Sequence, residues 1–140
     1  MSNESTFRKQ DAELNETIAL AESDGAVYTT GIDLGATADD DARLAGMELE
    51  VRAPVLDATE LPVGGTVTYV VQHSTALASG YASLYGTVLT QTAVASVGGA
   101  AAATKRVRLP SDCNRYVRLA ATTASAGDCS DSDAELRLLT

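Results

Sequence analysis

Short runs in which apolar and polar residues alternate, each closed by proline, glycine or aspartate, recur along most of this chain, and nothing else restricts its fold so tightly. Successive strand side chains point to opposite faces, so each run buries one face and wets the other. In residues 47–51, Met47, Leu49 and Val51 alternate with Glu48 and Glu50, and Pro54 then removes a ladder donor, which reads as a half-buried strand. Residues 26–34 read as an earlier strand ending in Ile32-Asp33-Leu34-Gly35. After the turn residues 61–65, the Thr, Val and Tyr of residues 66–74 read as a central one. Residues 84–96 alternate loosely, as one long strand or two short ones, and Gly98-Gly99 with the alanines after them reads as a flexible crossing. Residues 105–109, 115–123 and 134–139 complete the set, with turns at 110–112 and 125–132. About seven or eight short strands joined by irregular turns predict an all-β chain folded as a jelly-roll-like two-sheet sandwich, since each apolar face needs a second sheet to cover it.

The start of the chain differs: Leu14 and Ile18 stand four apart with Asp11 available as a cap, so residues 1–25 read as an N-terminal arm or short helix ahead of a β domain over 26–140. The arm, including Phe7, is expected to lie on a partner or on its own domain. With 140 residues, one domain is the expectation. The chain has no Trp and one Phe, so its interior must be built from Val, Leu, Ala and Ile.

Nineteen acids against ten bases give a formal charge of -9, which opposes binding to a polyanion, so nucleic acid is not an expected partner. The opening residues are polar and the most apolar stretch, 93–103, is short and interrupted by glycine, so neither a signal peptide nor a membrane anchor is expected. The charge is unevenly spread: residues 61–127 hold one acid and five bases, Lys105, Arg106, Arg108, Arg115 and Arg118. If their two segments pair as neighbouring strands, these bases form a positive stripe, either a solvated sheet face or a contact surface for an acidic protein neighbour.

Chemistry is thinly supplied. The one histidine, His73, stands at a strand end with no G-x-S-x-G turn anywhere, and reads as structural. Asp39-Asp40-Asp41 reads as a solvated loop. Asp128, Asp131, Asp133 and Glu135 offer oxygen ligands without the glycine or spacing of a calcium loop. Gly64-Gly65 and Gly98-Gly99 precede no helix and no Lys-Ser or Lys-Thr, so they read as turns rather than phosphate loops. Cys113 and Cys129 flank the strand expected at 115–123, roughly 25–30 Å apart at about 3.3 Å per residue, beyond the reach of a disulfide. Free thiols, no cofactor, no metal and no enzymatic activity are expected.

Ile32-Asp33-Leu34-Gly35, then Leu61-Pro62 before a Thr/Val strand ending Val71-Gln72-His73-Ser74, then Arg108-Leu109-Pro110 and Arg115-Tyr116-Val117-Arg118-Leu119 occur in that order. The set resembles the cement proteins of Bordetella-type tailed phages over residues 26–139 or so. The resemblance implies a jelly-roll decoration protein of the virion, assembled in the host cytoplasm, that binds the outer surface of an icosahedral shell and reinforces contacts between subunits of a separate major capsid protein, as homodimers at local two-fold positions. On that basis Phe7, Arg106, Arg108, Arg115 and Arg118 are the candidate protein-contact residues. The acidic region around Asp39–Asp41 and the two cysteines depart from the family pattern. The alternative is a carbohydrate- or receptor-binding jelly roll, for which Tyr81 and Tyr85 are the close aromatic pair in an expected loop.

Overall fold

A computed structural model describes residues 15–34, 47–110 and 112–139. The described residues form a sandwich of two antiparallel sheets, built from β1 (Asn15–Ala19), β2 (Gly25–Tyr28), β3 (Ile32–Asp33), β4 (Glu48–Ala53), β5 (Thr66–Ser74), β6 (Ala82–Thr92), β7 (Ala103–Arg108), β8 (Tyr116–Ala124) and β9 (Asp133–Leu139). One sheet has the order β1-β9-β4-β7; the other runs β2-β8-β5-β6, with β3 also on β8.

The pairing runs from the outside of the chain inwards. β1 pairs with β9, β2 and β3 with β8, β4 with β7, and β5 with β6. A two-stranded ribbon of this kind, folded over so that β4 meets β9 and β5 meets β8, is a jelly roll. Between the sheets lie Leu49, Val51, Leu136 and Leu138 from one side and Val67, Val71, Val117 and Leu119 from the other. The interior is aliphatic apart from the thiols of Cys113 and Cys129 and the ring of Tyr69, which is fully buried. Its hydroxyl donates to Gln91 Oε1 at 2.7 Å, and Gln91 Nε2 donates to Pro54 O and Ala101 O at 2.6 and 3.0 Å. That relay satisfies polar groups that would otherwise be costly to bury.

Several expectations give way to this wrapping. Of the residues expected as an N-terminal arm or short helix, Asn15–Ala19 form a strand hydrogen-bonded to β9, so Ile18 lies in a strand and not on a helix. The ladder offered by β9 satisfies the backbone there, and Leu20 closes into the core at 2 % exposure. Asp11, Leu14 and Phe7 fall outside the described residues, as do Asp39, Asp40 and Asp41.

The single strand expected at 26–34 is two, both lying along β8. Between them Thr29 donates its amide to Leu119 O and accepts the Leu119 amide on Oγ1, at 3.0 and 2.9 Å. Residues 84–96 resolve into one long strand, Ala82–Thr92, whose loose alternation reflects register shifts against β5 near Val70. Gly86, at φ 83°, takes up the left-handed geometry that such an irregularity needs.

The crossing at 98–102 is pinned rather than flexible. Gly99 donates to Leu61 O at 2.6 Å, and Leu56 and Ala100 exchange both amide bonds at 2.9 Å. Gly99 sits at φ 74°, where a Cβ would lie 2.8 Å from Leu56 O. Close backbone approach is what the glycine permits here.

Candidate functional site

The two outer faces of the sandwich differ in chemistry. On the four-stranded sheet, Glu48, Glu50 and Arg52 of β4 stand opposite Arg108, Arg106 and Thr104 of β7, while Arg137 and Glu135 of β9 oppose Glu50 and Arg52. Glu50, expected on a wet face, is only 5 % exposed because arginines cover it. Arg106 Nε reaches its carboxylate at 2.9 Å, Arg52 Nε at 3.2 Å and Arg137 Nη1 at 3.6 Å. Arg137 and Arg52 also contact Glu135, at 3.2 and 3.8 Å. An open hollow of about 340 Å³ beside this lattice is lined by residues including Arg52, Pro54, Thr104, Asp133 and Glu135. Glu50 and Glu135 are thus each held by more than one arginine, which fixes their geometry on the sheet face.

The centre of the outer face of the other sheet is built from three cross-strand rows. Ala26, Thr122, Thr68 and Thr90 form one; Tyr28, Ala120, Val70 and Thr87 the next; Arg118, Gln72 and Ser83 the third. Arg118 carries the one charge in these rows, on a chain with nineteen acids. Its guanidinium lies between two aromatic rings, 4.1 Å from the centroid of Tyr28 and 4.0 Å from that of Tyr81. Its Nε donates to Gln72 Oε1 at 2.8 Å. Tyr81 is anchored in turn by its hydroxyl, which donates to Leu77 O at 2.7 Å. At the same end of β8, Arg115 grips Asp33 with two bonds of 2.7 and 2.9 Å, a fork that fits a carboxylate.

The expected arginine stripe is therefore divided. Arg106 and Arg108 lie on β7, which pairs with β4; Arg115 and Arg118 lie at the start of β8, in the opposite sheet. In a ribbon paired from its ends inwards, β7 and β8 follow one another in sequence but must cross from one sheet to the other, so proximity along the chain does not make them neighbours. Arg106 caps Glu50, Arg108 is exposed and its carbonyl accepts the Tyr85 hydroxyl at 2.5 Å, and Arg115 and Arg118 belong to the other face. The aromatic pair is divided too: Tyr85 lies within β6 and faces β7, whereas Tyr81 stacks on Arg118. Tyr28 was not expected in the group, since its partner across the ring is 90 residues away in sequence.

Other polar groups are committed to holding the fold. His73 Nδ1 accepts the Asn114 amide at 3.1 Å. Cys113 and Cys129 are free and buried, and burial pushes both thiols up, Cys113 to about 12 with the nearby Asp112 charge adding to the effect. Such thiols are poor nucleophiles. Asp128 accepts from Ser130, and no three His, Cys, Asp or Glu side chains converge to hold a metal ion among the described residues. Among those residues, no helix is long and apolar enough to cross a membrane.

No family model matches the chain, and no curated protein matches it. Solved structures similar to it include the K3 cleaved adhesin domain of Lys-gingipain from Porphyromonas gingivalis, at 12% identity over 90% of this chain and 73% of that one, with a TM-score of 0.43. Broad Bean Stain Virus contributes another, at 14% identity over 91% and 84% with a TM-score of 0.39. A third is the carbohydrate-binding module CBM6cm-2 of Cellvibrio mixtus lichenase 5A in complex with cellotriose, at 12% identity over 96% and 92% with a TM-score of 0.37.

Proposed function

We propose that this chain is a non-enzymatic virion structural protein that decorates the outer surface of an icosahedral phage capsid and reinforces contacts between major capsid protein subunits, bound there as a homodimer. The observation that carries this reading is where the segments resembling tailed-phage cement proteins meet. Asp33 of β3, Gln72 of β5, and Arg118 of β8 with Arg115 just before it come from three separate stretches of sequence and are joined by the Asp33–Arg115 ion pair and the Gln72–Arg118 hydrogen bond. Around them spreads a broad sheet face free of Lys, Glu and Asp in its three central rows, with tyrosine and arginine at its focus. That composition suits a protein interface, where Tyr and Arg are enriched and Lys, Glu and Asp depleted. Repetition of a modest contact over many equivalent shell sites turns it into mechanical reinforcement.

The test mixes purified protein with mature and immature empty shells, pellets them, and heats the particles to rupture. Co-pelleting with mature shells and a raised rupture temperature are expected. A folded protein that pellets with neither shell overturns the reading. Binding of glycans to an array would then favour the second one, a sugar-binding module, for which Tyr28, 44 % exposed and stacked on Arg118, is the supporting feature.

A further inference from the structure

Four of the six large apolar residues that stand exposed among the described residues, Val55, Val63, Val94 and Val97, fall at one end of the sandwich. That end is made by the loops β1–β2 (20–24), β4–β5 (54–65), β6–β7 (93–102) and β8–β9 (125–132). Scattered apolar exposure is ordinary; its concentration at one end, at 51 to 66 % exposure, is not. The same loops carry Glu22, Asp24, Asp57, Glu60, Asp128 and Asp131 and no Lys, Arg or His.

Turn chemistry accounts for part of this set. Asp24 accepts the amides of Ser125 and Ala126, Asp57 those of Thr59 and Glu60, and Asp128 that of Ser130, while Glu60 takes the Ser132 hydroxyl. It does not account for the valines, nor for the exposed Glu22 and Asp131.

The loops are knit into one surface. Ala93 donates to Gly65 O, Val94 to Gly99 O, Gly98 to Val94 O, Gly127 to Glu60 O and Cys129 to Ala21 O, all between 2.8 and 3.0 Å. A surface already ordered loses little freedom when something binds it.

We propose that this valine-and-carboxylate end is a docking site for a protein surface that presents lysines or arginines around an apolar patch. The apolar side chains favour burial, and the carboxylates, with no cation among them, select the sign of the partner. A second copy docking through the same end would oppose six acids to six, and nucleic acid or an anionic membrane would be repelled. The site lies away from the Tyr28–Arg118–Tyr81 face, so a decorating protein would have two surfaces with which to bridge two neighbours. That last step rests on the capsid reading; the docking chemistry does not.

The test immobilises three synthetic peptides, alternating Lys–Val, Lys–Ser and Glu–Val, and measures binding of the full chain. The Lys–Val peptide is expected to bind, the Lys–Ser peptide about tenfold more weakly and the Glu–Val peptide not at all. The pair Glu22→Gln with Asp131→Asn, and separately Val94→Ser with Val97→Ser, are each expected to weaken Lys–Val binding about tenfold. Glu16→Gln with Glu48→Gln removes the same charge elsewhere and is expected to bind as wild type. Equal loss in that control, or equal binding of Lys–Val and Lys–Ser, overturns the docking site whatever the shells do. Loop-dependent peptide binding with no shell attachment sinks the capsid reading and leaves the docking site standing.

Discussion

Replacing Arg118 with alanine tests whether the stack on the outer sheet face is a structural element. The guanidinium lies 4.1 Å from the Tyr28 ring and 4.0 Å from the Tyr81 ring. A cation over a ring at an exposed site is worth about 0.5–1 kcal/mol, so the two contribute about 1–2 kcal/mol. The 2.8 Å bond to Gln72 adds about 0.5 kcal/mol, the low end for a hydrogen bond, because a half-buried Gln72 can turn to water when Arg118 is gone. Arg118→Ala is therefore expected to cost roughly 1.5–2.5 kcal/mol in urea unfolding with an unchanged denaturant slope. Arg118→Lys is expected to recover less than half, since an ammonium cannot lie flat between two rings. A double-mutant cycle with Tyr28→Ala should give a coupling of about 0.5–1 kcal/mol. An Arg118→Ala protein within about 0.5 kcal/mol of wild type, or zero coupling to Tyr28, would refute the stack as a stabilising unit.

Tyr69→Phe removes the donor to Gln91 inside the core and leaves Gln91 Oε1 short of a partner, so urea unfolding should show a loss of about 1–3 kcal/mol, whereas a neutral result would mean the relay is dispensable. Gly99→Ala forces a side chain into a left-handed position against Leu56 O and should destabilise by at least about 2 kcal/mol, read as a lowered thermal midpoint. Backbone amides of Ala126 and Ser125 hold the Asp24 carboxyl below its usual 3.8, and the hydroxyl and amide of Ser130 do the same for Asp128. A depressed folded value means that this contribution is complete above the unfolded value and fades as pH falls through the folded one. Amide exchange at Ser125, Ala126 and Ser130, corrected for intrinsic rates, should therefore speed up in strong acid and stay level between pH 5 and 7. Cys113 and Cys129 should both resist a thiol reagent in the native protein and both react once urea unfolds it; fast labelling of either in buffer would contradict their burial.

Alternation placed the strands well wherever one face is apolar. β5, β8 and β9 lie within a residue or two of where Val67, Tyr69 and Val71, then Val117 and Leu119, then Leu136 and Leu138 put them. It failed where another force set the backbone. Thr29 bonds to Leu119 through both amide and hydroxyl and splits the strand expected at 26–34, and Asn15–Ala19, which lacks the alternation of a strand, is drawn into an edge strand by the free ladder of β9. Glu50 reads as a solvent-facing residue because its own strand says nothing of Arg106 on β7 or Arg137 on β9.

Amino-acid order alone thus determined the class of the fold, an all-β sandwich with an aliphatic interior, because the two-residue period of a strand is a local property written into each short run. Which strands become neighbours was decided only in three dimensions. In a ribbon paired from its ends inwards, contacts join residues far apart in sequence, so Arg108 and Arg115 part to opposite sheets while Tyr28 and Arg118 meet. The arginine stack and the valine-and-carboxylate end each gather side chains from distant segments, and no period along the chain encodes that meeting; wrapping one sheet over the other creates it.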